Sequence, residues 1–376
     1  MGAMDLSTLP TPSLVLDLAR VRRNARRIGD LVARAGVRLR PHVKTHKCVE
    51  LARLQTAGQF GGITVSTLGE ARAFGAAGFR DQTYAVPIEP GKFAAVMDLH
   101  VRGIDLAVIT DDPDVPAALD AVATRHGVRV PVFLEVDCGD GRSGLAPGDP
   151  LADAVCRAIA GAAHLRLAGL LTHAGHAYDA RDPGARARLA AEECAALVAL
   201  AERLRASGLD VPTLSVGSTP TVTAAPDWDG ITEARPGNYL LFDAFQATLG
   251  TCTTDDCALT VLAAVVSRSR ARRSVIVDAG AIALSKDRGP AAWDTAAGYG
   301  RVLDLEGRDL GLRLQNVSQE HGEIGDVPAP VLDRLPVGTR VRVLANHSCL
   351  TAAQHDRFHV LDTGAIVNHW AIHRGW

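Results

Sequence analysis

Residues Arg40 to Lys47, RPHVKTHK, place an arginine, two histidines and two lysines within eight positions. A run of charge is usually a solvated face, but the upstream pattern argues for something else. Val37, Leu39, Pro41 and Val43 alternate with Arg38, Arg40, His42 and Lys44, the period-two signature of a strand. Lys44 then ends the strand on the same face as His42 and Arg40. Lys47 falls on the opposite parity, at the turn before a helical pattern that begins near Val49. An amine at a strand end, crowded by other cations, loses basicity and gains nucleophilicity. Lys44 is therefore the candidate nucleophile.

Two further groups of residues carry chemistry. Gly217-Ser218-Thr219 and Gly237-Asn238 lie about 20 residues apart after two strand-like runs. Glycine lets backbone N–H groups approach an anion, and the hydroxyls add donors, so the two turns can form a phosphate cup. A reactive lysine beside a phosphate cup points to pyridoxal 5'-phosphate. Near the C-terminus, His347 and Cys349 follow the run VRVLA, two residues apart, so that an extended chain points both the same way. Imidazole with thiolate suits a borderline-soft ion, zinc first, with manganese or magnesium as alternatives, and two protein ligands leave open positions. From spacing alone, a buried cysteine beside a hydrogen-bonded histidine is the simpler reading. A His42/His46 metal pair conflicts with the strand pattern, and Cys252/Cys257 resembles half a zinc site without a second pair.

These residues need elements to hold them. From about residue 36 to 240, VRLR, GITVS, QTYAVP, LAVIT, VPVFLEVD, LRLAGLLTH, TLSVGS and ITEARPGN alternate with segments of helical spacing. The pattern predicts an α/β fold, a parallel (β/α)8 barrel with its chemistry at the strand ends, and a doubly wound sheet as the second choice. His173, after LRLAGLLT, and GDGRSG, after VPVFLEVD, stand at such ends. After about residue 248 the runs are strand-like without long helices, which predicts a mainly antiparallel β domain. The expected boundaries are 1–17, a strand free to join the β domain; 18–247, the barrel; and 248–376, the β domain with the His347/Cys349 pair.

Composition excludes other classes. The formal charge of the 376 residues is −2 with both signs dispersed, which argues against nucleic acid or an anionic membrane as partner. The opening residues lack a basic and an apolar signal region, and no apolar run reaches a membrane span, so the expected location is cytoplasmic. Seven scattered cysteines are expected to be reduced and mostly packed as small apolar groups.

Taken together, RPHVKTHK, GDGRSG, THAGHAY, SVGSTPT, EARPGNY, QEHG and NHSC, in this order, resemble the D-serine dehydratase and D-threonine aldolase family over nearly the whole chain. The resemblance implies the alanine-racemase type of fold (pyridoxal-phosphate fold type III) and a homodimer. It implies that Lys44 holds the cofactor covalently and takes the α-proton, and that Arg142 approaches the ring hydroxyl. His173 also enters the cofactor set, and Gly217, Ser218, Thr219, Gly237 and Asn238, with Tyr239 adjacent, form the phosphate-binding turns. His347 and Cys349 become the metal ligands, with the metal acting as Lewis acid on a β-hydroxyl. Leu171-Thr172 stands where relatives often carry a tyrosine near the pyridine ring. The second metal ligand in the family is typically cysteine in dehydratases and aspartate in D-threonine aldolases. Cys349 thus favours dehydration of a small D-3-hydroxy amino acid, D-serine or D-threo-3-hydroxyaspartate. Aldol cleavage to glycine and an aldehyde is the alternative; a racemase or a non-catalytic cofactor-binding protein is further off.

Overall fold

Strand β1 (Ser13–Asp17) leads into the helix Leu18–Arg34, after which eight strands alternate with helices. They are β2 (Arg38–Leu39), β3 (Ile63–Val65), β4 (Asp81–Pro87), β5 (Asp105–Thr110), β6 (Val130–Val136), β7 (Leu165–Thr172), β8 (Thr213–Val216) and β9 (Glu233–Ala234). All pair in parallel, in the order β2-β9-β8-β7-β6-β5-β4-β3. The ring closes where Thr64 N–H of β3 donates to Pro41 O at 2.9 Å, beside a parallel bridge between His42 and Thr64. This is the barrel that the eight runs predict. Every residue of β6 is buried, because a parallel strand is covered on both faces. The helices between strands start on ordinary signals. Asp182, for instance, caps Pro183–Ala206 by accepting from Ala185 N–H, with proline in the first turn.

The remaining strands are β10 (Leu259–Ser269), β11 (Ser274–Val277), β12 (Gly300–Leu303), β13 (Asp309–Arg313), β14 (Asn316–Val317), β15 (Gly322–Ile324), β16 (Arg340–Ala345), β17 (Arg357–Asp362) and β18 (Ala365–Ala371). Their main sheet runs β13-β12-β16-β10-β1-β17-β18, with β11, β14 and β15 branching from β10. Every pairing is antiparallel except β1 with β17, so β1 is an interior strand of this sheet. Leu6, Leu9, Val15, Leu262 and Ile366 form one of its apolar clusters.

The structure, a computed structural model, describes residues 5–224 and 227–376. The chain falls into two compact units whose segments interleave. One takes the residues up to Arg26, Thr45–Cys48 and Asn238–Ile372; the other takes Arg27–Lys44, Val49–Gly237 and His373–Trp376. Among the described residues no helix is long and apolar enough to cross a membrane.

Two local expectations need correction. Strand β2 is only two residues long, and Lys44 lies in a 3-10 turn, Val43–Thr45, not at the end of an extended strand. Of the polar face upstream, Arg38 is exposed but Arg40 and His42 are buried. Arg40 is buried because its guanidinium reaches Glu233 at 2.7 Å and Asp81 at 2.6 Å, the pairing that a charge inside a barrel requires. The second correction concerns the C-terminal pair. Strand β16 stops at Ala345, His347 caps the short helix Ser348–Ala352, and Cys349 sits in that helix. A helical turn, not an extended chain, brings the two side chains together.

Candidate active site

In the barrel unit, Lys44 and His173 are electrostatic neighbours, and Arg142 and Arg235 also act on the imidazole. Burial, reinforced by the Lys44 charge, pushes His173 down to about 3, so the ring is neutral. Its Nδ1 lies 2.8 Å from Gly217 O, which ties the end of β7 to the turn after β8. Gly217 N–H donates to Glu193 Oε1 at 3.0 Å, and Ala174 N–H donates to the same oxygen at 3.1 Å. Glu193, wholly buried on Pro183–Ala206, thereby staples the two turns together.

Glycine is required at 217. Its φ is +141°, and a Cβ there would come within 2.8 Å of Arg235 N. Ser218 then caps the helix Thr219–Thr223 in a capping box with Thr221. Strand β9 ends beside it, Val216 pairing with Ala234, and Gly237 follows three residues later, buried. Arg142 is exposed, 3.9 Å from Glu135, whose carboxyl is held above its usual range by burial.

In the β unit, His347 Nδ1 meets Asp287 Oδ2 at 2.7 Å. Burial disfavours the imidazolium, but Asp287 and the Cys349 sulfur outweigh it and raise His347 to about 11. Burial likewise opposes the Cys349 thiolate, yet His347 and the Thr45 hydroxyl, 3.3 Å from Sγ, hold the thiol below its usual range. Asn238 and Tyr239 belong to this unit, both buried. Among the described residues, no set of three or more His, Cys, Asp or Glu side chains is arranged to hold a metal.

The other residues singled out in the sequence have ordinary roles. His42 lies 3.5 Å from Lys44 N and 3.4 Å from Ser66 Oγ, and His46 accepts from Cys48 N–H, so neither is half of a helical metal pair. Glu320 and His321 form an exposed turn between β14 and β15. His355 bonds Ala283 O at 2.9 Å, and all seven cysteines are free thiols.

Residues 16–244 match the family model described as alanine racemase, N-terminal domain, and residues 258–361 match a putative serine dehydratase domain. The chain is 43% identical to D-threo-3-hydroxyaspartate dehydratase of Delftia sp. (strain HT23), over 99% of each chain. The chain belongs to the D-serine dehydratase and D-threonine aldolase family.

The solved structure of that Delftia member superposes with a TM-score of 0.96 at 43% identity, covering 99% of this chain and all of that one. A further structure of the same protein, a cysteine-to-alanine variant, is described as its metal-free form. D-Serine dehydratase of Dictyostelium discoideum is 33% identical over 99% of this chain and 98% of its own. At 28% stands 3-hydroxy-D-aspartate aldolase of Paracoccus denitrificans, over 99% and 94%. The alanine-racemase type of family is pyridoxal-phosphate dependent, and its members here are lyases.

The residues present fit both groups that the family implies. On the barrel side, cationic Lys44, Arg142 and Arg235 surround a neutral imidazole, a setting for an anionic cofactor, and Glu135 Oε2 is buried without a hydrogen-bond partner among the described residues. On the β side, a nitrogen and a sulfur atom able to bind a metal stand adjacent, the imidazole oriented by a carboxylate. Buried Asn238 Oδ1 is unpartnered there.

Sequence reasoning missed Asp287, Asp243, Glu193 and Arg235. Arg235 lies inside the quoted EARPGNY, where the glycine took the attention. Glu193 sits in mid-helix on the stripe of Ala190, Leu197 and Leu200, and that helical spacing is the signal that could have marked it as facing inward.

Proposed function

We propose that the chain is a pyridoxal-phosphate- and metal-dependent dehydratase of D-3-hydroxy amino acids, with D-threo-3-hydroxyaspartate and D-serine as substrates. The observation that carries this reading is Cys349 beside a carboxylate-oriented His347, a nitrogen and sulfur pair suited to zinc. The full-length likeness to a dehydratase supports it.

When bound, the cofactor supplies an electron sink for the substrate's α-carbon and the metal a Lewis acid for its β-oxygen. The chain's own residues do the rest. Lys44 would hold the cofactor, and its Nζ is the base that would take the substrate's α-proton. Ser218 and Thr219, on a turn fixed by Glu193 and His173, would present donors to the phosphate together with Gly237 and Asn238, with Tyr239 next to them. Arg142 would serve the ring hydroxyl. Neutral His173 would line the cofactor site without adding charge. His347 and Cys349 hold the ion, and Thr45, bonded to Cys349, follows Lys44 directly in the chain. Loss of the α-proton and β-hydroxyl, then hydrolysis, gives a 2-oxo acid and ammonia. A homodimer in the cytoplasm is part of this reading.

Product analysis of the loaded enzyme with D-serine, D-threonine and D-threo-3-hydroxyaspartate, each beside its L-enantiomer, tests the proposal. Ammonia with a 2-oxo acid from a D-substrate is the expected result. Glycine with an aldehyde or glyoxylate would establish instead the aldol cleavage after which the Paracoccus relative is named. A chelator should abolish turnover while leaving the cofactor bound; full turnover after verified metal loss would remove His347 and Cys349 from the mechanism.

A further inference from the structure

In the proposed reading Asn238 serves the phosphate site, but its side chain is engaged elsewhere. The carboxamide Nδ2 donates to Asp243 Oδ2 at 2.7 Å and to Ser348 Oγ at 3.1 Å, and it lies 3.8 Å from Cys349 Sγ, within reach of an N–H···S bond. The same Asp243 oxygen accepts from Ser348 N–H at 3.0 Å and lies 3.3 Å from Ser348 Oγ. Those bonds fix the first turn of Ser348–Ala352, the turn that carries Cys349. Asp243 and Asn238 are sealed from solvent, 2% and 6% exposed. A buried carboxylate is tolerated only where donors fill it, and here the donors are the groups that place the thiolate.

We propose that Asp243 and Asn238 are positioning residues for the metal-binding thiolate, an inference that rests on the metal reading of His347 and Cys349. Asp243 commits the amide nitrogen of Asn238, so the side chain turns N–H, and not its carbonyl oxygen, towards Sγ. A donated N–H withdraws density from the sulfur and holds it in one direction, which tunes the affinity of the site for a soft ion. Asp287 does the corresponding work on His347, so each ligand has its own carboxylate behind it, half-buried Asp287 directly and buried Asp243 through an amide.

Enzyme carrying its cofactor, stripped of metal, is titrated with Co²⁺ against a competing chelator. The dissociation constant and the sulfur-to-cobalt charge-transfer band are both read. Asn238→Ala should weaken binding roughly 10–100-fold and shift the band; Asp243→Asn should do the same. Asp243 also caps the helix Ala244–Leu249, so Asn238→Ala decides if the Asp243 variant does not fold. Parent-like affinity and an unshifted band in Asn238→Ala overturn the inference. Cys349→Ala separates the two levels. If it loses the band while Asn238→Ala behaves as the parent, only the positioning role fails. If it keeps the band, Cys349 is no ligand and the metal reading fails with everything built on it.

Discussion

At the scale of single residues, two lysines three positions apart have different fates. Lys44 sits in a 3-10 turn as a neighbour of His173, whereas Lys47 lies beyond it with a left-handed backbone, φ +49°. Lys44→Ala should abolish the cofactor's bound visible absorbance and its capture by borohydride, and Lys47→Ala should spare both; the opposite pattern would reassign the nucleophile. The sequence pattern set Lys44 apart from Lys47, and the structure likewise gives the two different settings, although the chain at Lys44 is a 3-10 turn and not the extended strand that the pattern implied. The closeness of His347 and Cys349 was legible from their spacing, although a helical turn and not an extended chain brings it about. Asp287 and Asp243 were not legible, since Asp287 lies 60 residues from His347 and Asp243 lies 105 from Ser348, and nothing local marks either.

Titration belongs to this scale too. Burial and then Lys44 hold His173 down to about 3; burial and then His369 hold His359 down to about 4. Unfolded, both have the ordinary value of 6.5. The unfolded chain therefore binds more protons between those values, and the stability these residues contribute is present above 6.5 and lost as pH falls through the folded values. The urea midpoint should drop on going from pH 6.5 to pH 4, and His359→Asn, on β17, should flatten that fall. An undiminished slope would show that His359 is not among the groups responsible.

At the scale of elements, most of the barrel strands stood out as short runs rich in apolar residues between helical stretches, whereas β2 (Arg38–Leu39) and β9 (Glu233–Ala234) are two residues long and half charged. Strands β12 to β15 did not. They are short, and Asp309, Asn316 and Gly322 start three of them, so pairing to neighbours rather than their own pattern makes them strands. The turn after β8 is the element on which the cofactor reading leans most. Gly217→Ala should destabilise the protein by about 1–3 kcal/mol, the range for a side chain forced into such a conformation. It should also weaken cofactor binding, because the displaced turn carries Ser218 and Thr219. Urea unfolding and cofactor titration read the two effects separately; an unchanged cofactor affinity would remove this turn from the cup.

At the scale of the whole molecule, sequence texture gave contiguous domains changing near residue 248, whereas the two compact units interleave along the chain. Periodicity reports what an element is and not which partner it joins, so the membership of β1 was left open. A fragment of residues 248–376 lacks β1, the strand between β10 and β17. It should fail to fold alone, showing poor dispersion by NMR, and adding a peptide of residues 5–17 should promote order. A well-folded fragment without the peptide would make β1 dispensable.

The position of β1 also bears on synthesis. Its residue Leu16 pairs with Leu259, and Val15 with His359, so this strand waits for partners that are made much later. At about 5–20 residues per second, a gap of roughly 240 residues leaves it unpaired for roughly 12–50 s. Throughout that interval Leu14, Val15 and Leu16, all buried in the finished protein, are exposed apolar groups on a nascent chain. A chaperone that binds extended apolar segments is expected to hold residues 13–17 during that interval.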